Sequence, residues 1–507
     1  MGGSFMKVVI IGAGIGGLAT AALLSEQGHE VTVVEARDEV GGRAGTWEHE
    51  GFRFDTGPSW YLMPDVFDHF FGLLGTSSAE QLRLLTLDPG YRVYFEGRDA
   101  PLDIAATRAE NVALFESVEK GAGARLERYL DSAAATYRLA VDHFLYTTFV
   151  SLRRVFAPVE VRRRAVAFGR LLLGSLNGYV ARRFRDPRLR QILGYPAVFL
   201  GSSPYETPAM YHLMSHLDLD DGVLYPMGGF TRVIEVIRDL AVERGAVVLT
   251  GRPVTAILTQ EGRATGVQTD AGTIDADIVI SGADLHHTET ALLPGELRTY
   301  PQEYWDTRTA GPGALLLYLG VEGEVPELEH HTLLFTREWK RGFDAIFHDD
   351  RVPDPASLYV CKPSGVDPST APAGMTNLFV LVPIPADPTL GKGGDVAVEE
   401  LADRTIAQIE TFTGARFADR IAVRRVVAPG DFEADLHAWK GTALGPAHTL
   451  RQSAFFRAGN ASKKVEGLYY VGGSTIPGIG LPMCLISAEL IVKRLAGDTS
   501  SGPLVTL

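Results

Sequence analysis

A continuous apolar run at residues 8–11 passes into Gly12-Ala13-Gly14-Ile15-Gly16-Gly17, which predicts a buried strand turning through glycines into a helix. Residues 29–35 predict the next strand, closed by Glu35. Residues 51–59 read as a strand and turn, and 91–102 as a hairpin around Glu96-Gly97. From about 108 to 220 the spacing is mostly helical, with Pro158, Pro187 and Pro204 as breaks. An amphipathic helix at 231–245 follows Gly228-Gly229. Strands follow at 247–249 and 254–258, then a hairpin arm at 265–273. Residues 276–283 form a further buried strand ending in small residues, which suits a return to the first sheet beside a ligand. Short β-like runs at 314–320, 358–361 and 378–383 predict a separate antiparallel sheet, and 396–413 one helix.

The first glycines lie at the spacing of a dinucleotide-binding unit. Gly12 allows the tight turn, Gly14 lets a pyrophosphate approach the backbone, and Gly17 lets helix and strand pack closely. The helix start offers free N–H groups and a partial positive charge to phosphates, and Glu35 is placed to accept from an adenosine ribose. Beyond it, Gly41-Gly42-Arg43 offers a guanidinium to the pyrophosphate, which favours FAD over NAD. A cofactor that long needs protein at both ends. Gly478-Ile479-Gly480-Leu481-Pro482-Met483, opening a helical run at 484–495, supplies the far end.

Charge adds a second theme. The net charge of −14 over 507 residues excludes a nucleic-acid role for the chain as a whole. Between 151 and 190, however, eleven arginines stand against Glu160 and Asp186, a local charge of +9 that leaves −23 for the remainder. Apolar residues such as Val155, Phe156, Val166, Phe168, Leu172 and Leu173 are interleaved, so the segment reads either as a surface docking on anionic lipid headgroups or as a helical unit ion-paired to the acidic remainder. Cys361 and Cys484 form no metal-ligand spacing, so no metal is expected and a reducing compartment is. With no secretory leader pattern and no long uncharged apolar run in the sequence, a cytoplasmic location is expected.

With these residues in hand, the chain resembles a bacterial carotenoid desaturase of the phytoene desaturase type, in the flavin amine oxidase superfamily. Beyond the glycine motifs, the likeness rests on Phe54-Asp55-Thr56-Gly57-Pro58-Ser59, on 222–229 (GVLYPMGG), on Asp284-Leu285-His286-His287-Thr288 and on 363–369 (PSGVDPS). Gln452-Ser453-Ala454-Phe455-Phe456-Arg457 and Val471-Gly472-Gly473-Ser474-Thr475 carry it most specifically. The resemblance implies FAD at Gly12, Gly14, Gly17, Glu35 and Arg43, with Val254 meeting the adenine side and Gly473, Ser474, Pro482 and Met483 near the ribityl chain and flavin ring. Ile476, where many relatives have histidine, departs from the pattern, as does the run 480–484.

The implied fold is α/β, with a Rossmann-like FAD-binding domain assembled from 1–107, 226–290 and 440–507. A helical substrate and membrane-docking subdomain spans 108–225, and a substrate domain with an antiparallel sheet spans 291–439. The implied reaction is hydride transfer from phytoene or a related carotene to flavin, on a protein held peripherally at the inner face of the cell membrane, with oxygen or a quinone as terminal acceptor. A carotenoid isomerase or ketolase, a flavin amine oxidase and a non-enzymatic prenyl-binding escort are the competing readings. No catalytic residue is singled out. Asp142, His143, His286 and His287 are titratable, but each has a ready structural explanation.

Overall fold

The computed structural model describes residues 5–150 and 159–507, without the side chains at 160 and 164–168. Arg153, Arg154, Val155 and Phe156 of the basic segment, and the side chains of Arg164, Val166 and Phe168, therefore lie outside the described residues.

The apolar run Lys7–Ile11 becomes the central strand of a five-stranded parallel sheet, in the order Leu468–Tyr470, Ile278–Ser281, Lys7–Ile11, Glu30–Val34, Val247–Leu249. Its continuous hydrophobicity has a direct cause, because both faces are covered. Val8 and Ile10 join a core built with the helices Ile15–Glu26, Gly229–Glu243 and Leu481–Leu495. Val9 and Ile11 point the other way, onto Ile257 and Val267 of a three-stranded antiparallel sheet, Val254–Gln260, Arg263–Thr269 and Gly272–Asp275.

The second large sheet has seven strands, in the order Ile421–Val427, Gly313–Glu322, Met375–Ile384, Leu358–Cys361, His331–Phe335, Tyr91–Phe95, Leu102–Ile104. One face packs on the helix Val396–Thr413, which has the bounds that its sequence pattern predicts. The other face meets the helices Arg108–Val118, Ala122–Ala140 and Pro187–Gly194, and the helix Val159–Leu173 lies in the same part of the chain. The expected hairpin at 91–102 forms, with Val93 opposite Leu102, but its sheet is not the one its sequence neighbours suggest. Tyr91–Phe95 pairs in parallel with His331–Phe335, so this segment of the 1–107 span extends the substrate-side sheet instead of the nucleotide sheet. The pairing joins residues some 240 positions apart, and no local pattern encodes it.

The glycine turn is sterically committed. Gly12 holds φ at +91°, and its N–H donates to the Val34 carbonyl at 2.8 Å. A Cβ on Gly17 would lie 2.1 Å from the Gly12 carbonyl oxygen, whereas one on Gly14 would have no neighbour within 4 Å. Gly17→Ala is therefore expected to lower stability by about 1–3 kcal/mol, and Gly14→Ala to shift the cofactor-free protein by no more than about 0.5 kcal/mol. Urea unfolding of both variants without flavin checks the contrast.

Candidate cofactor and substrate site

The loops at the carboxyl ends of the parallel strands open into one continuous cavity of about 1030 Å³, at the upper end of the size expected for a small-molecule site. Gly12, Gly14, Glu35, Arg43, Val254, Gly473, Pro482 and Met483 all line it. Gly17 is buried behind the turn, where it sets helix against strand, and Ser474 lies just behind the wall, with its Oγ near Gly445.

Three observations at one end fit FAD. The space beside the Gly14 Cα is open, as the close approach of a pyrophosphate requires. Gly14 caps the helix Ile15–Glu26 with no side-chain partner for its first N–H groups. Arg43 is brought alongside because the Gly41 N–H donates to the Ala13 carbonyl at 2.8 Å. Its Nε and Nη2 are buried without hydrogen-bond partners, and its nearest charge is Asp284 at 3.7 Å. A half-buried guanidinium on the cavity wall, with two donors unused and no carboxylate within hydrogen-bond distance, is suited to an anion. Glu35 is held by N–H donation from Ala13 at 2.7 Å and from Arg37 at 3.0 Å, which fixes its carboxylate at the end of its strand. The residues present here fit FAD.

At the C-terminal wall, Gly480 to Cys484 open the helix Leu481–Leu495 onto the cavity. The preceding turn is fastened by Arg457, whose guanidinium donates to the Gly473 carbonyl at 2.5 Å and the Thr475 carbonyl at 3.1 Å. Burial holds the Arg457 pKa down at about 10, with no carboxylate partner among the described residues. Burial pushes the Cys484 thiol up to about 11, so the one cysteine on the wall is a neutral thiol and a poor nucleophile at neutral pH.

The remainder of the wall is apolar and aromatic, and it reaches the surface. Leu173, Leu450, Phe455 and Phe456 line the cavity and are also exposed, forming a hydrophobic rim drawn from two distant segments. In the same two segments, Arg162, Arg163, Arg170 and Arg451 are exposed to solvent. The basic segment thus divides. Arg183 lies 3.6 Å over the Tyr179 ring, Arg188 pairs with Asp186 at 2.9 Å and Arg190 donates to the Phe184 carbonyl, whereas Arg162, Arg163 and Arg170 are exposed on the helix Val159–Leu173, whose Val161, Gly169, Leu172 and Leu173 line the cavity.

Of the titratable residues singled out in the sequence, only His287 reaches the wall, and it stacks on His437 at 4.0 Å, with burial lowering its pKa to about 4. Asp142 and His143 are not on the wall, and His286 packs edge-on to Trp305. Polar groups that meet the apolar part of the cavity include Ser59, Trp60, Tyr195 and Tyr359, backed by His331. Ser59 closes the 54–59 motif but had no role assigned, and no local signal links it to Tyr359, 300 residues away. Sequence spacing was also silent on the grouping of His330, His331 and Cys361, whose ligand-type atoms all lie within 4.8 Å of one another.

Comparison with known proteins agrees with this geometry. The family model described as flavin containing amine oxidoreductase matches residues 15–496. The carotenoid 3,4-desaturase of Haloarcula japonica is 42% identical over 97% of this chain and 98% of its own. The zeta-carotene-forming phytoene desaturase of Myxococcus xanthus is 36% identical over 96% and 93%. Among solved structures, an oxidoreductase from Methanosarcina mazei shares the fold with a TM-score of 0.62 at 19% identity, covering 96% of this chain and 100% of that one. The chain belongs to the flavin containing amine oxidoreductase family.

Proposed function

We propose that the chain is an FAD-dependent carotenoid desaturase that works at a membrane surface. The observation that carries this reading is the single cavity joining the Gly14, Glu35 and Arg43 cradle to an apolar channel with a hydrophobic exit. A carotene has almost nothing to hydrogen-bond, so its binding must come from burial, at about 25 cal/mol per Å² of apolar surface. A wall of leucine, phenylalanine and tryptophan side chains supplies that burial and keeps water from the reacting carbons. FAD, when bound, supplies the hydride acceptor. The chain's own groups fix the cofactor at the carboxyl ends of the strands and hold the hydrocarbon along the channel. Their aromatic faces favour positive charge developing on it. An amine oxidase reading is weaker here, because among the described residues no lysine lines the cavity.

The rim explains how a bilayer-soluble substrate arrives. No helix among the described residues is long and apolar enough to cross a membrane. Leu173, Phe455 and Phe456 would instead dip into the boundary between headgroups and acyl chains, with Arg162, Arg163, Arg170 and Arg451 meeting anionic headgroups around them.

Three outcomes are expected. Gly14→Val fills the open space of the cradle, so the purified variant should lose its flavin absorbance while keeping its fold by circular dichroism; full retention of tight FAD would remove the assignment. Under anaerobic conditions, carotene in vesicles should bleach the flavin of the wild-type protein, with desaturated product on chromatography and no need for NAD(P)H. Product formed while the flavin stays oxidised would identify an isomerase. Replacing Arg162, Arg163 and Arg170 with Gln should weaken sedimentation with anionic vesicles by about tenfold or more at low salt, leaving FAD content intact. Equal binding by variant and wild type at both low and high salt would turn the arginines into ordinary surface charge.

A further inference from the structure

Desaturation removes a hydride from one allylic carbon and a proton from its neighbour, and that proton needs a destination inside an apolar channel. The ionisable groups on the wall are poorly suited, and the one further carboxylate there among the described residues, Asp435, is exposed to solvent. Glu35 is occupied by two N–H donors, Asp284 stands beside Arg43, and His287 is stacked on His437. His448 turns Nδ1 to the Leu200 carbonyl at 3.1 Å, and its Nε2 is covered by the backbone at Gly478.

A neutral hydrogen-bonded chain leaves the channel instead. Ser59 and Tyr359 both line the cavity, and the Ser59 Oγ lies 2.7 Å from the Tyr359 hydroxyl. The same hydroxyl lies 2.6 Å from His331 Nδ1. Tyr359 and His331 sit on the neighbouring antiparallel strands Leu358–Cys361 and His331–Phe335, which fixes their separation. His331 is fully buried and its Nε2 has no partner. The Trp60 indole is stacked on its ring at 4.0 Å and 8°.

We propose that Ser59, Tyr359 and His331 form the proton acceptor of the desaturation. The proposal rests on the desaturase reading. Ser59 donates to Tyr359 and Tyr359 donates to His331 Nδ1, leaving a Ser59 Oγ lone pair toward the substrate. As the hydride leaves for the flavin, the neighbouring C–H bond breaks and its electron pair becomes the new double bond. The proton passes to Ser59 Oγ, the serine proton to Tyr359 and the tyrosine proton to His331 Nδ1. Two electrons then reside on the cofactor and one proton on the imidazole, under an indole face that favours a cation. Reoxidation of the flavin by its two-electron acceptor takes up a proton, and the relay returns it by the same route. Burial holds the His331 pKa well below its usual value, which keeps the ring neutral between turnovers. A proton beside an allylic cation is acidic enough for so weak a base. A neutral relay also spares the channel a permanent carboxylate, which would be costly beside a hydrocarbon and would add to the cation.

The test uses holoenzyme with carotene-loaded vesicles under anaerobic conditions, following flavin bleaching in a single turnover. Ser59→Ala, Tyr359→Phe and His331→Gln are each expected to slow bleaching by about 10²–10⁴-fold, with FAD content and the KM for carotene unchanged. Because the three act as one unit, the double variant Ser59→Ala/His331→Gln should be no slower than either single variant. Wild-type bleaching rates in any FAD-replete variant, or losses that multiply in the double variant, would overturn the relay. Stoichiometric zinc or copper in the holoenzyme, bound through His330, His331 and Cys361, would overturn it too, since the metal would occupy the histidine lone pairs. If Tyr359→Phe fails to fold, Ser59→Ala decides alone. A wild-type protein that no carotene can bleach ends the desaturase reading and the relay with it, whereas equal rates in wild type and variants end the relay only.

Discussion

The parallel pairing of Lys7–Ile11 with Ile278–Ser281, and of that strand with Leu468–Tyr470, is the constraint on which the cavity depends. Parallel strands run in the same direction, so each ends at the same edge, and whatever follows each strand is delivered to one place. Gly12 to Gly17, Gly282 to Asp284 and Gly472 to Gly473 come from segments hundreds of residues apart, yet all meet there for this single geometric reason. The seven-stranded sheet then closes the other side of the same space. Its strands offer alternate residues to the cavity, which is how Leu333, Phe335 and Tyr359 come to share a wall.

How far the sequence disclosed this follows from the range of the interactions. Glycine turns, Glu35 at a strand end and the helix Val396–Thr413 are local features whose spacing is set by the backbone, and they were legible. The strand Ile278–Ser281 was legible as a buried run ending in small residues, because burial on both faces leaves a compositional mark. The sheet to which Tyr91–Phe95 belongs was not legible, since its partner His331–Phe335 is chosen by tertiary packing and both strands are apolar enough to pair elsewhere. His330 and His331, side by side at the start of a strand, carry no periodicity of their own. Only the register that sets His331 opposite Cys361, with Tyr359 two residues before it, turns them into a polar cluster.

Electrostatics divides the cavity as sharply as shape does. At the nucleotide end, Arg43 keeps buried donors idle, and Arg457 sits behind the C-terminal turn bonded to carbonyls alone, so the protein surrounds the cofactor end with positive charge that no carboxylate fully answers. Along the deeper part of the channel, around Ser59 and Tyr359, the polar groups are hydroxyls, with the carboxylate of Asp435 out where the wall meets solvent. Charge thus gathers where an anion fits, and neutral polarity where a hydrocarbon fits.

Continuity between the two ends also imposes an order of assembly. A hydrocarbon that filled the channel first would stand between the nucleotide cradle and the rim, because no wall divides them. Under the desaturase reading, FAD that binds first leaves the channel free for a hydrocarbon, whereas a hydrocarbon that binds first lies against the open cradle.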